Sequence, residues 1–499
     1  MPRISVRGWV FFIFTFAFAC VFFFTCSLHV SLPLHSPHSA HSTPQTSSSR
    51  TLQQPVLPKS SCQYEMPGTA CHISPAVQYW SNPTDCFESP GRRLYGLQAP
   101  ESQRRYVVFQ PDLGGWNNIR MALEVVILFA LVTGRILVMP PDAVLYLLSK
   151  NKKWKDNFSN MDDYFNFDLL KAGNAVEFIS MSDFLSLVRS DPRRYLENAT
   201  AVVPPASALV KQPLWNFLEQ SCYWRQWSPG KTFLVFPGAP PAILDNTTSR
   251  YRSHSLNYKR VPVAYESFSN KTVIFFAGHD RNRMLTHFYG YLYMARAADD
   301  RLVKRFVRDR MRYHDKIYCV GGGIVESLSS GSGGRYVAYH IRRGDFQHKN
   351  TQLSALQIIE ATKHLFHGLV PSEHSVYIST DEPNLAFFDP FKAIFRRVLF
   401  LGNFYLDHNL AALDQNHLGM VEQVVCAGAY VFIGTPLSTF TGYISRLRGY
   451  KNRTSPGVYE RTYYFMPRQM HQLHKSPHLA LPMWPREYVE AFADIDEKV

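Results

Sequence analysis

Cysteine is scarce in this chain, at eight in 499 residues. No two of them stand in a C-x-x-C pair, so the spacings exclude the common structural zinc sites. Nor do His, Cys and carboxylates gather at ligand spacing, so no metal is expected. Charge is also thin, 18% against 46% hydrophobic residues, which describes a folded globular protein and not a disordered one. The charge present is basic, a formal +14. Yet RNP-like, zinc-finger and basic-helix patterns are missing and the Lys and Arg are spread along the chain, which disfavours nucleic acid as a partner.

From Gly8 to Leu28 there is no charged residue, and FFIFTFAFACVFFF is long enough to cross a bilayer. Arg3 and Arg7 precede the run, and no Lys or Arg follows it before Arg50. This asymmetry predicts a cytosolic tail over residues 1–7, a transmembrane signal anchor over 8–30 and a lumenal remainder. The protein would then be a single-pass type II membrane protein of the Golgi or endoplasmic reticulum. Ala17-Phe18-Ala19 has the form of a cleavage site, but VFFF carries the apolar run past it, favouring an uncleaved anchor. Residues 31–61, rich in Ser, Pro, His and Thr, read as a flexible stem. Asn157, Asn198, Asn246, Asn270 and Asn452 are sequons, and so candidate glycan sites in a lumen. Six cysteines lie beyond the anchor: Cys62, Cys71, Cys86, Cys222, Cys319 and Cys426. Their even number suits an oxidising compartment and leaves the pairing open, with the first three expected to staple the start of the folded region.

A chain of this length calls for two domains. We place them at 62–320 and 335–499. In the first, Tyr106 to Phe109 is an apolar strand, Asn117 to Thr133 has helical periodicity with Gly134 as its stop, and Ile136 to Met139 is the next strand. That is a βαβ unit. Residues 272–294 read as a strand followed by a helix. GGGIVESLSSGSGG (321–334) precedes a strand instead of following one, so it reads as a mobile connection and not a phosphate loop. Beyond it, strand-like runs at 336–341, 375–379, 397–401 and 430–434 alternate with helical stretches, which predicts a doubly wound parallel sheet.

Ligands of such sheets bind outside the carboxyl ends of the strands. There the sequence places HIRRGDF, from His340 to Phe346. Strand alternation puts His340 and Arg342 on one face and Arg343 with Asp345 on the other. An internal Arg343–Asp345 ion pair is the plain expectation, leaving His340 and Arg342 for a ligand. An Arg fork grips two phosphate oxygens at once. A second anion-friendly feature is the turn after 430–434, where Ser438 and Thr439 open a helix whose free N–H groups favour anions. Taken singly, His340 could be a satisfied core imidazole and Ser438 a helix cap. Together the features describe a diphosphate clamp that needs no metal.

HIRRGDF, with PDLGGWNNIRMALE upstream and STDEPNLAFFDPF and FIGTPLSTFTGYISRLRGY downstream, resembles the GDP-fucose protein O-fucosyltransferase family. The four motifs stand in the family's order over about residues 105–450. The His-x-Arg-Arg pattern is shared with α1,2- and α1,6-fucosyltransferases. The resemblance implies a GT-B-type α/β fold, with two Rossmann-like domains facing across a cleft, the acceptor on the first and GDP-fucose on the second. It implies inverting, metal-independent transfer of fucose from GDP-fucose, with no cofactor, to a protein Ser or Thr hydroxyl. Carried over, Arg342 contacts the diphosphate and His340 lies beside the donor. Ser438, Thr439, Phe440 and Thr441 fall on the phosphate-side stretch, and Gly115, Trp116 and Asn117 on the cleft-lining turn. One branch of the family has a Glu base where this chain has Gly114; the nearest acid is Asp112, a candidate base or a turn residue. Some animal members carry Asp where this chain has Tyr430. The alternatives are a fucosyltransferase for glycan acceptors and a non-catalytic, membrane-anchored binding ectodomain.

Overall fold

The computed structural model describes residues 73–80, 104–111, 115–142, 161–205, 212–224, 232–236, 261–278, 292–294, 296–330, 333–451, 457, 459–465 and 495. The expected anchor and stem, Cys62, Cys71, Cys86, Asp112, Asn157, Asn246 and Asn452 lie outside them. Ser61–Val499 holds together as one unit. Its first half carries β1 (Tyr106–Phe109), β2 (Ile136–Met139), β3 (Phe178–Ser180), β4 (Tyr223–Trp224), β5 (Thr232–Phe236), β6 (Val261–Ala264), β7 (Val273–Phe276) and β8 (Leu292–Met294). Five of these form a parallel sheet in the order β3-β2-β1-β7-β4. The other three form a small parallel sheet, β6-β5-β8, which sequence periodicity did not suggest. The second half carries β9 (Val337–Ile341), β10 (Ser375–Thr380), β11 (Arg397–Leu399), β12 (Val431–Gly434) and β13 (Thr462–Tyr464), in the order β11-β10-β9-β12-β13.

The central strands β1, β9 and β12 are buried along their whole length and mostly apolar, the usual signature of parallel sheets. Between the first strands runs α1 (Trp116–Thr133), whose residues are buried almost all round. It is long and apolar enough to cross a membrane, but 89% of that window is packed inside the protein. Gly134 ends it in the left-handed region at φ 65°, its N–H bonded to the Ala130 carbonyl, as the glycine stop implied.

Four more helices matter for the site: α2 (Asp315–Ser330), α3 (Ala355–Thr362), α4 (Gln415–Gly428) and α5 (Thr439–Lys451). The first corrects the sequence reading. Residues 321–330 are not a connecting loop but the second half of α2, and the proposed domain boundary at 320 falls inside this helix. The glycines serve packing: a Cβ on Gly321 would sit 2.6 Å from Val424 Cγ1 on α4. The 272–294 stretch opens with β7, as expected, and ends in β8; the helix expected between them falls on residues 279–291, outside the described ones.

One apolar cluster runs from α1 and the inner face of the first sheet, through α2, to α4, α5 and Ala338 of β9. Val337, Tyr339 and Ile341 point the other way, into a separate cluster under α3. Alternation therefore sends His340 to the inner face, beside α5. Cys319 is disulfide-bonded. Cys222 and Cys426, which the even count had made available for pairing, are buried free thiols. Burial raises the pKa of both thiols, that of Cys222 to about 12, which makes them inert.

Candidate active site

The second sheet winds outward from β9 to β10 and β11, then crosses back to β12 and β13 on the other side. The reversal falls between β9 and β12, and the carboxyl ends of the strands at such a switch point are the favoured ligand position. Thr435 closes the top of the strand pair. Its N–H and hydroxyl both donate to the His340 carbonyl, and its oxygen accepts from the Arg342 N–H at 2.8 Å.

His340 is buried, stacked on the Phe440 ring at 4.5 Å, with Nδ1 2.6 Å from the Thr441 hydroxyl. This contact requires a glycine on β12: a Cβ on Gly434 would fall 2.1 Å from Thr441 Cγ2. Burial, with help from the Arg342 charge, pushes the imidazole pKa down to about 3, so His340 is neutral at physiological pH. The unfolded imidazole takes up a proton below about pH 6.5, whereas the folded one resists until about 3. Stability should therefore fall through this group as pH drops across that window, and be indifferent to it above pH 7. Comparing unfolding free energies with pH for wild type and His340→Gln tests this. The variant should lose a slope of up to about 1.4 kcal/mol per pH unit; identical slopes would mean that the buried imidazole is already protonated.

Beyond β9 the chain turns through Arg342, Arg343 and Gly344 around one carboxylate. Asp381, just past β10, accepts from the Arg342 guanidinium, from the Arg343 N–H at 2.7 Å and from the Gly344 N–H at 3.0 Å. A side chain at Gly344 would meet Asp381 Oδ2 at 2.5 Å. Arg342 also donates to the Asp345 carbonyl at 3.2 Å. The expected Arg343–Asp345 pair is replaced by another: Arg343 Nε donates to Glu382 Oε2 at 2.8 Å, and its Nη1 to the Leu353 carbonyl. The hydrogen bond from Arg343 holds the Glu382 carboxyl below its ordinary pKa. Alternation within a strand could not reveal these partners, because Asp381 and Glu382 arrive from the neighbouring strand, nearly forty residues on.

On the β12 side, the turn to α5 passes through Leu437 in the left-handed region at φ 61°, and Ser438 is buried ahead of Thr439. Phe440 and Thr441 form the first turn and hold His340 as described. Gly115 precedes α1, and Trp116 stacks on Tyr164 at 4.1 Å and lies near Phe165. Asn117 is buried and accepts from Gln423 on α4 at 3.1 Å. The structure thus brings His340, Arg342, Phe440, Thr441 and Asn117 into one bonded neighbourhood, with Trp116 in an adjoining aromatic cluster. Sequence reasoning missed Thr435, Asp381, Glu382 and Gln423, although the first three lie within quoted motifs. It also missed Glu422, whose carboxyl burial pushes up to about 8, chiefly against its bonds to Ser379 and Tyr377. Among the described residues no group of three His, Cys, Asp or Glu side chains comes together.

Residues 106–451 match the GDP-fucose protein O-fucosyltransferase family, and the chain belongs to it. It is a GDP-fucose-dependent fucosyltransferase. Among curated relatives, it is 21% identical over 372 residues to GDP-fucose protein O-fucosyltransferase 2 of Plasmodium berghei, covering 68% of this chain and 71% of that protein. Solved structures similar to it include POFUT1 in complex with GDP-fucose, at 12% identity and TM-score 0.37, covering 74% of this chain and all of that one. NodZ alpha-1,6-fucosyltransferase with GDP is another, at 14% identity and TM-score 0.35, covering 69% and 92%.

Proposed function

We propose that this protein transfers fucose from GDP-fucose to a Ser or Thr hydroxyl of a protein, inverting the anomeric centre and needing no metal. We place it in the Golgi or endoplasmic reticulum, held by residues 8–30 with the catalytic region lumenal. The supporting observation is that Arg342 follows β9 and α5 follows β12, the two strands that flank the sheet's switch point. As GDP departs, negative charge grows on its β-phosphate. A guanidinium fixed by Asp381 and the positive end of a helix are groups that would stabilise that charge. His340, neutral and held by Thr441, shapes the pocket without adding charge. Asp112 is the candidate base for the acceptor hydroxyl, with Gly114 where one branch of the family has Glu. Exposed Asn198 and Asn270 are sequons that a lumenal location would leave open to glycosylation.

The test uses purified residues 62–499 with GDP-fucose and separate protein and glycan acceptors. The expected result is α-linked fucose on a protein hydroxyl, at the same rate in chelator as in manganese. Transfer only to glycans would overturn the acceptor assignment, and neither transfer nor donor hydrolysis would overturn the enzyme reading. A strict manganese requirement would remove the metal-free clamp. It would direct attention to Asp494-Ile495-Asp496, the carboxylate pair near the chain's end that the sequence reading passed over. For the expressed full chain, glycosidase treatment should increase gel mobility; unchanged mobility would argue against a lumenal domain.

A further inference from the structure

Between the two halves of the site lies a glutamine that no sequence motif singled out. Gln423 is 1% exposed, on the inner face of α4. Its Nε2 donates to the Asn117 Oδ1 at 3.1 Å and to the Phe440 carbonyl at 3.3 Å, and its Oε1 accepts from the Tyr313 hydroxyl at 2.9 Å. These orientations are forced. The Phe440 carbonyl can only accept, so the Gln423 atom facing it must be the nitrogen. The Asn117 atom facing that nitrogen must then be its oxygen. The Arg120 Nε, at 3.5 Å from the same oxygen, agrees. Asn117 Nδ2 is left with no hydrogen bond to any described residue, and it is not among the buried unpartnered atoms. Its two N–H donors therefore remain available to a ligand.

We infer that Gln423 is a positioning residue for fucosyl transfer: it sets the Asn117 carboxamide with its N–H donors outward, from the same α5 turn that stacks on His340. This rests on the proposed reading of the site and extends it to a residue that touches neither substrate. One buried amide would then register the first half's cleft residue against the donor half.

The experiment is a double-mutant cycle on purified residues 62–499: Gln423→Leu, Asn117→Ala and both together. The readouts are kcat and KM for transfer, calorimetric GDP affinity, and Tm. Gln423→Leu should lower kcat/KM about tenfold, but less than twofold in the Asn117→Ala background, because its effect passes through Asn117. A purely structural role would lower Tm and lower kcat/KM by equal factors in both backgrounds. Should Gln423→Leu fail to fold, Tyr313→Phe removes the anchor on Oε1 and should give a smaller loss with the same dependence on Asn117. Equal factors in both backgrounds, or no loss at all, would overturn the inference while leaving the fucosyltransferase reading intact. A wild type that binds GDP but transfers nothing would overturn both.

Discussion

Arg342→Lys should fold as the wild type does and lose about a hundredfold in transfer rate. The substitution keeps the positive charge but not the planar fork. In the structure Nη1 meets Asp381 while Nη2 meets the Asp345 carbonyl, so the guanidinium plane is set before any donor arrives. A lysine ammonium can reach one of these partners but cannot hold that plane. On the proposed role of Arg342, losing one preorganised, charge-assisted contact to the departing diphosphate corresponds to about 3 kcal/mol in the barrier. The turn itself should survive, because Asp381 still accepts the Arg343 and Gly344 N–H groups. The measurement pairs kcat/KM with GDP affinity and Tm. Wild-type turnover together with wild-type GDP affinity would mean that the charges ending β9 serve the fold alone. Arg343→Ala provides the contrast: it removes a half-buried pair with Glu382, a bond to the Leu353 carbonyl and the packing on Phe387, so it should lower Tm more than Arg342→Lys does.

Glu124→Ala should be the most destabilising single change, at about 3–5 kcal/mol. Glu124 on α1 has no exposed surface and binds two buried guanidiniums, Arg120 one turn before it and Arg446 on α5. Arg446 spans the two carboxylate oxygens through Nη1 and Nη2, joining the halves by a forked pair. Burial alone would raise the Glu124 pKa, but Arg446 and then Arg120 outweigh it and leave the carboxyl below its usual value. Its contribution is therefore complete above the unfolded pKa, about 4.3, and is lost as pH falls through the lower folded value. Truncation leaves two buried guanidiniums without the carboxylate that they share. Thermal melts should show a fall in Tm of several degrees for Glu124→Ala. The combined Arg120→Met, Glu124→Leu and Arg446→Met variant should recover most of it. A Glu124→Ala melt that overlays the wild type would show that the triad does not bear on stability.

Much of this architecture was legible because it is local. The strand–helix–strand unit over 106–139 announced itself by periodicity and by Gly134, and the second sheet by the regular spacing of its apolar runs. The ligand end of β9 followed from alternation and from the charges of HIRR. The misreadings share a physical cause, which is contact between residues distant in sequence. Gly321, Gly322 and Gly323 look like loop residues until Val424 of α4, Ser74 and His408 are seen against them in turn, where close approach outweighs their poor helix propensity. Arg343 takes Glu382 instead of Asp345 because parallel pairing sets the end of β10 beside the end of β9. Gln423 looks like one more polar residue on a helix until Asn117, Tyr313 and Phe440 converge on its amide.

The apolar cluster that passes from the first sheet to the second without a break also governs how the protein comes apart. Each half keeps a smaller cluster of its own, but the largest is shared between them. Cutting the chain at the Gly-Ser stretch after α2 would strip Val424, Val421 and Tyr443 from the surfaces that Ile324, Val325 and Tyr313 cover. Each fragment would then carry a wet, sticky face. Heat should therefore be absorbed in a single peak, and a gene split at that point should yield inclusion bodies instead of two soluble modules.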